Sequence, residues 1–375
     1  MNLTKASQYI KLGLKIASVV IVFYYIFIFF LFPRVRNTIR KILPDRDPAN
    51  ALYGTLPALS FEQKKIEGEP KYELNTKGGY LDFEFPRKLP VYKFIPPQFS
   101  YLAGKNAQNH AFYLGFSDRE LISDLKGNVY KWREIVTGGT LTIQINTLEL
   151  LYQTDLENVT SKIYQANVNK ETAIREAEKI FINIQRYNTG LYANGKKTAV
   201  LGTAIGNKIV ELKSNVDGNA AKVSLFKKIG DYDVLTSNYD EGNLSLIYSP
   251  SSLRGTPYKH PYIKAIYWDV DTNPEATYPI IFVDEAWNKV KDGNGVIASV
   301  LPKDGNIFEP YKPVRVEKII INNVYLAYYE ATVQQTYMQP IFVFEGNYTT
   351  RGTDGGSVVI YYPAVSGDFI KQPEK

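Results

Sequence analysis

A chain of 375 residues with 45% hydrophobic content is long and apolar enough to build real cores, which excludes a disordered stalk and points to two domains or one large one. The absence of cysteine excludes a disulfide framework, cysteine-ligated zinc and a thiol nucleophile. The net charge of +6 is concentrated in part beside an apolar run near the amino terminus, where lipid headgroups account for it, and no basic stripe with interleaved aromatics follows, so nucleic acid is not an expected partner.

The apolar run, Ile16 to Phe32, carries no charge, Pro or Gly. With Leu12 to Leu14 it approaches the roughly 20 apolar residues a bilayer-spanning helix needs. A buried core helix would keep a polar face, and a cleaved signal would end in small residues. This run instead leaves through Phe30, Leu31, Phe32 and Pro33 into Arg34 and Arg36. It reads as an uncleaved anchor over 16–33, behind a short tail over 1–15, with the lipid bilayer as its partner. Lys5, Lys11 and Lys15 before it nearly balance Arg34, Arg36, Arg40 and Lys41 after it. A short tail, one span and a long domain is the layout of a signal anchor, which puts the amino terminus in the cytoplasm and the C-terminal domain outside the cell membrane.

Residues 34–70 read as a basic, Pro-containing tether, since Pro44, Pro48, Pro57 and Pro70 prevent a long helix, although 34–42 can extend the span. Within it Tyr53 to Leu59 is too apolar for a pure spacer and is expected to dock on the first lobe. A first strand-rich lobe is expected over 71–165, with strands at 80–85, 90–94 and 128–132, a short helix at 107–116, and a strand pair within 141–152. A second, α+β lobe is expected over 166–370. Asn169 caps its one convincing helix, whose Ala173, Ile174, Ala177, Ile180, Phe181 and Ile184 share a face, and Asn188-Thr189-Gly190 stops it.

Short strands follow at 208–212, 221–226, 244–248 and 263–269. Asp284 reads as the cap of a further helix that packs Ala286, Trp287 and Val290 across strands carrying Leu326, Ile341 and Val343. The last strands lie within 314–330, 338–344 and 357–362. The fold class is therefore α+β: a transmembrane helix, then two mainly antiparallel sheet lobes with few packed helices. Residues 143–152 align with 319–328 at two Ile, an Asn, a Leu and a Tyr, a faint hint that the lobes are duplicated.

No catalytic constellation emerges. His110 and His260 lie far apart, and Ser117 and Ser249 sit in turns without a nucleophile elbow. Gly352-Thr353-Asp354-Gly355-Gly356 lacks the Lys of a phosphate-cradling loop. The sequons at Asn158, Asn243 and Asn347 matter only in a eukaryotic secretory pathway. Asp269, Asp271 and Asn273 space their oxygens like the start of a calcium loop, but Pro274 replaces the required Gly and Ile280 the bidentate Glu. These three are the weak metal candidates, and a polar turn after a strand is the plainer reading. No cofactor is nominated.

In the C-terminal third, Pro279-Ile280-Ile281-Phe282 with Glu285-Ala286-Trp287, then Tyr325 to Glu330, then Met338 to Gly346, resembles the last lobe of YycH/YycI-type extracytoplasmic regulators. The anchor followed by Tyr53-Gly54-Thr55-Leu56-Pro57 is similar to uncharacterised single-pass membrane proteins of small-genome uncultured bacteria. The first resemblance covers about the last hundred residues. It implies outer lobes related to PepSY-like helix-on-sheet modules that bind other proteins and perform no chemistry. Two functions stay open: a membrane-anchored extracytoplasmic module that binds another envelope protein, and a cell-surface hydrolase working through carboxylates on envelope polymers.

Overall fold

The computed structural model describes residues 3–27, 47–75, 81, 85–98, 100–122, 128–135, 138–155, 167–213, 217–249 and 260–371, the side chains of 3–14 excepted. The chain opens with helix α1 (Leu3–Ile26). Its Ile16 to Phe27 side chains are all exposed. Among the described residues no helix is long and apolar enough to cross a membrane. Ile28 to Phe32, the end of the expected span, and the extension expected at 34–42 lie outside the described residues.

Strands β1 (Lys71–Leu74) and β2 (Lys88–Ile95) come next, then helix α2 (Ala103–Tyr113) and strands β3 (Val129–Arg133), β4 (Thr140–Gln144) and β5 (Leu150–Gln153). Helices α3 (Lys170–Asn183) and α4 (Thr189–Tyr192) precede β6 (Lys197–Ile205), β7 (Lys208–Glu211) and β8 (Ala220–Leu225). The chain continues through β9 (Lys228–Ile229), β10 (Tyr232–Thr236), β11 (Leu244–Tyr248), β12 (Tyr262–Ala265), β13 (Asp269–Val270) and β14 (Ala276–Pro279). Helix α5 (Val283–Lys289) leads into β15 (Val296–Pro302), and the long strands β16 (Lys318–Glu330), β17 (Tyr337–Thr350) and β18 (Thr353–Pro363) finish the fold.

These strands form two sheets with few helices, the α+β class. An antiparallel sheet runs in the order β3-β4-β5-β12-β11-β8-β6-β7, and a mixed sheet is centred on β16 and β17. In the mixed sheet β16 takes β17 antiparallel on one edge and β1 and β10 parallel on the other.

Strand membership runs differently from the division expected at residue 165. β1 and β2 belong with the C-terminal strands, whereas β3 to β5 pair into one sheet with β6 to β8, β11 and β12. The antiparallel lobe is thus inserted into the mixed one. The chain crosses between sheets at 96–128, at Phe226-Lys227, at 237–243 and at 266–268. Local pattern reveals strands but not their partners, and the partners here lie hundreds of residues apart.

The expected tether is no spacer from Asp47 onward. It straps the mixed lobe through backbone bonds from Ala51 to Thr277, Leu56 to Phe369, Lys64 to Ile297 and Glu67 to Val314, and ends as β1. Leu56 is fully buried and Tyr53 stacks on Tyr337 at 5.0 Å, so this apolar stretch docks on C-terminal elements.

Asn169 caps α3 as the sequence predicts, its side chain accepting the Thr172 amide at 2.8 Å. The helix stops earlier than expected, at Asn183, with Gln185 at φ 56°, and Asn188 caps α4 instead. Ala173, Ala177, Phe181 and Ile184 bury against one face of the antiparallel sheet.

Helix α5 has Phe282 at its cap position and no side-chain cap bond, so Asp284 lies one step inside. Trp287 is buried against Phe344 and Tyr72, in one cluster with Leu326. Ile341 and Val343 are on the opposite face with Tyr329 and Tyr361, because Phe342 and Phe344 take the helix side of β17.

The aligned segments 143–152 and 319–328 also differ. The first is a hairpin made by β4 and β5, the second one continuous strand with a bulge between Ile321 and Asn323. That bulge inserts a residue, so Ile319, Ile321, Val324 and Leu326 all keep to one core. The five matches reflect strand composition rather than a common unit.

Candidate functional site

Alternation in the antiparallel sheet turns Ala221, Val223, Leu244, Leu246, Ile263 and Ala265 toward α3. Lys222, Ser245, Tyr262 and Lys264 must then project from the other face. Onto that face the 237–243 crossing delivers Glu241. Its Oε1 accepts from Lys264 at 3.1 Å, Tyr262 at 2.8 Å and Ser245 at 3.3 Å, while Oε2 takes Lys222 at 3.0 Å.

Burial alone would raise the Glu241 carboxyl, but Lys222, Lys264 and the Tyr262 hydroxyl outweigh it and hold it at about 2. The Thr236 hydroxyl reaches back to the crossing, 2.8 Å from the Asn238 carbonyl and 2.7 Å from the Glu241 carbonyl, and shares its one proton between them. Gly242 is required because a Cβ there would lie 2.3 Å from the Leu225 carbonyl oxygen. Next to it Asp240 accepts from the Ser299 hydroxyl. Burial pushes its carboxyl up, against that bond and Lys64, Lys222 and Lys196.

A loop of the mixed lobe, between β15 and β16, closes over part of this face. Phe308 packs with Ile209, Ala220 and Ile247, and Gly202 leaves room for its ring. Asn306 donates to the Ile209 carbonyl at 2.8 Å, and Lys208 pairs with Glu309 at 3.2 Å. Between loop and sheet lies a cleft of about 930 Å³, floored by Thr140, Gln153, Tyr262 and Lys222 and walled by Ile307 and Lys312. A second cavity of about 370 Å³ shares Lys222 and Glu241 and reaches Asp240.

The cleft offers hydroxyls, an amide and paired charges along a sheet face. Glu241 stays ionised at neutral pH with both oxygens occupied, and burial first, then Glu241, raises the Tyr262 phenol well above its ordinary value. Neither group delivers a proton at neutral pH. The arrangement suits hydrogen bonding to an extended ligand more than acid–base work.

The weak metal candidates lie elsewhere. Asp269 opens β13 and receives the Val270 amide at 3.0 Å and Tyr267 at 3.4 Å, and Asp271 receives the Asn273 amide at 3.0 Å in an Asx turn. Among the described residues no cluster of three or more His, Asp or Glu is arranged to hold a metal ion. His110 lies on the buried face of α2, its pKa pushed down to about 4 by burial and then by Arg186. His260 lines an apolar cavity of about 220 Å³ with Tyr113 and Ile184. Asn243 is buried, Asn347 is exposed on β17, and Asn158 lies outside the described residues.

Sequence reasoning missed Lys222, Glu241 and Lys264. The signal was a lysine at an outward position of an otherwise apolar alternation, in Ala221-Lys222-Val223 and Ile263-Lys264-Ala265. Nothing local shows that Glu241 falls between them.

No family model and no curated protein matches the chain. A solved structure of an uncharacterized protein from Eubacterium rectale ATCC 33656 is similar at 13% identity, over 75% of this chain and 85% of that one, with a TM-score of 0.42.

Proposed function

We propose that the protein is a membrane-anchored, extracytoplasmic interaction module whose cleft binds an extended segment of another envelope protein. The carrying observation is the cleft itself. A polar sheet face is held open beneath a loop pinned by Phe308, and its most buried carboxylate is neutralised by two lysines. The exposed apolar side chains from Ile16 to Phe27 and the uncharged run continuing to Phe32 support the anchor. The likeness to YycH/YycI-type regulators agrees with a binding role and names no partner.

One observation favours the hydrolase alternative: Asp240 and Glu241, with carboxyls pushed in opposite directions, border one cavity. Against it, the Glu241 oxygens are taken up by Lys222, Lys264 and Tyr262.

A photo-crosslinking residue placed at Gln153 in the full chain should yield one discrete adduct with a second envelope protein in intact cells. The same residue at the distant exposed Val333 should yield none. Absence of any adduct from Gln153, together with polymer cleavage that Asp240→Asn abolishes, would replace binding by hydrolysis.

A further inference from the structure

The stretch from Ser100 to Ser117 contains no acidic residue, yet it leaves large apolar side chains in solvent. Tyr101 is 95% exposed, Leu102 60%, Phe112 76% and Tyr113 63%. Ala107, His110 and Ala111 face the core, so Leu102, Lys105, Asn109 and Phe112 form the outward stripe of α2 at helical spacing. The end of α3 extends it, since Tyr113 shares a cavity with Ile180 and Asn183, and the neighbouring Ile182 is 52% exposed. Lys105 on α2 and Lys179 on α3 are exposed beside this apolar surface, and Asp118 follows just beyond it. Further along α3, Glu178 pairs with Lys197 at 2.6 Å and Glu176 lies 3.9 Å from Arg175, while Glu171 stands in the first turn.

We infer that this face of α2, with the end of α3, docks on an anionic lipid surface. The inference rests on the anchor proposed above. Residues 28–46 join the anchor to the strap, and even fully extended they reach at most about 65 Å, so the body always works beside the bilayer. Weak surface attachment then becomes an intramolecular event with a high effective concentration. Tyrosine suits headgroup depth, phenylalanine and leucine enter the acyl boundary, and lysines meet phosphates. A second copy fits less well: a two-fold axis through the stripe would bring the mid-stripe Lys105 toward its own copy, which headgroup phosphates would instead welcome.

The chain has no cysteine, so Phe112→Cys, Val20→Cys and Val333→Cys each give one labelling site in the full chain. Each variant is labelled with an environment-sensitive fluorophore and reconstituted into phosphatidylcholine–phosphatidylglycerol vesicles carrying a lipid-borne quencher. The expected result is blue-shifted, quenched emission at 112 and 20, and unquenched emission at 333. Adding Lys105→Glu and Lys179→Glu should abolish the quenching at 112 alone. Water-like, unquenched emission at 112 with quenching retained at 20 would overturn docking and leave the anchor standing. A blue-shifted but unquenched label at 112 would mean that protein, a second copy or a partner, covers the face, and would equally overturn it. An unquenched label at 20 would remove the anchor and the docking together.

Discussion

At the scale of single residues, two buried titratable groups give the protein a pH response in two separate windows. His110 is held neutral in the fold with its pKa at about 4, below the ordinary histidine value of 6.5, so the unfolded chain binds the proton first. Its contribution is complete above about 6.5 and is lost as pH falls toward 4. Glu241 is held at about 2 against an ordinary 4.5. Its contribution is complete above about 4.5 and is lost as pH falls through 2. Melting temperature should therefore decline across both windows. His110→Gln should flatten the upper one and Glu241→Gln the lower. If Glu241→Gln leaves the acid limb unchanged, the Lys222–Glu241–Lys264 cluster is not the anchor point of the crossing. The two groups differ in legibility: His110 is visible in the sequence as a lone histidine, but nothing local announces that Glu241 lies between two lysines.

At the scale of elements, the crossings between sheets hold the buried charge. Lys227, between β8 and β9, donates to Glu330 at the end of β16 and to the Trp268 carbonyl beyond β12, both at 2.6 Å. The ammonium lies 5.0 Å from the Tyr267 ring. Lys227→Met leaves Glu330 buried without its cation and should cost about 3–5 kcal/mol in denaturant unfolding, part of which Lys227→Met with Glu330→Gln should recover. A loss below about 1 kcal/mol would show that the pair does not pin the sheets together. Trp287 tests the other lobe. Buried between Phe344 and Tyr72, it should cost about 3–5 kcal/mol when cut to alanine, read as a lower unfolding midpoint. An unchanged midpoint would place it outside the core. Sequence reading identified this helix and its buried residues but mixed the two faces of β17. Ile341 and Phe342 are equally apolar, and a strand buried on both faces carries no hydrophobic alternation to tell them apart.

At the scale of the molecule, secondary structure was legible and topology was not. The caps, turns and apolar runs that mark α3, β11 or β17 are local. The insertion of one lobe into the other depends on parallel pairing of β1 and β10 with β16, across up to about 250 residues of chain. The strap over 47–75 was legible only as an apolar patch in a Pro-containing segment, since its partners at Thr277, Ile297 and Phe369 are distant in sequence. Under the proposed anchoring, this strap would keep the cleft near the bilayer that holds α1. The proposed function requires an anchored body outside the cell membrane. Protease added to intact spheroplasts expressing the full chain tests it most directly. The body should be digested while the amino-terminal segment stays protected; full protection of the C-terminus, with digestion only after lysis, would rule the proposed orientation out.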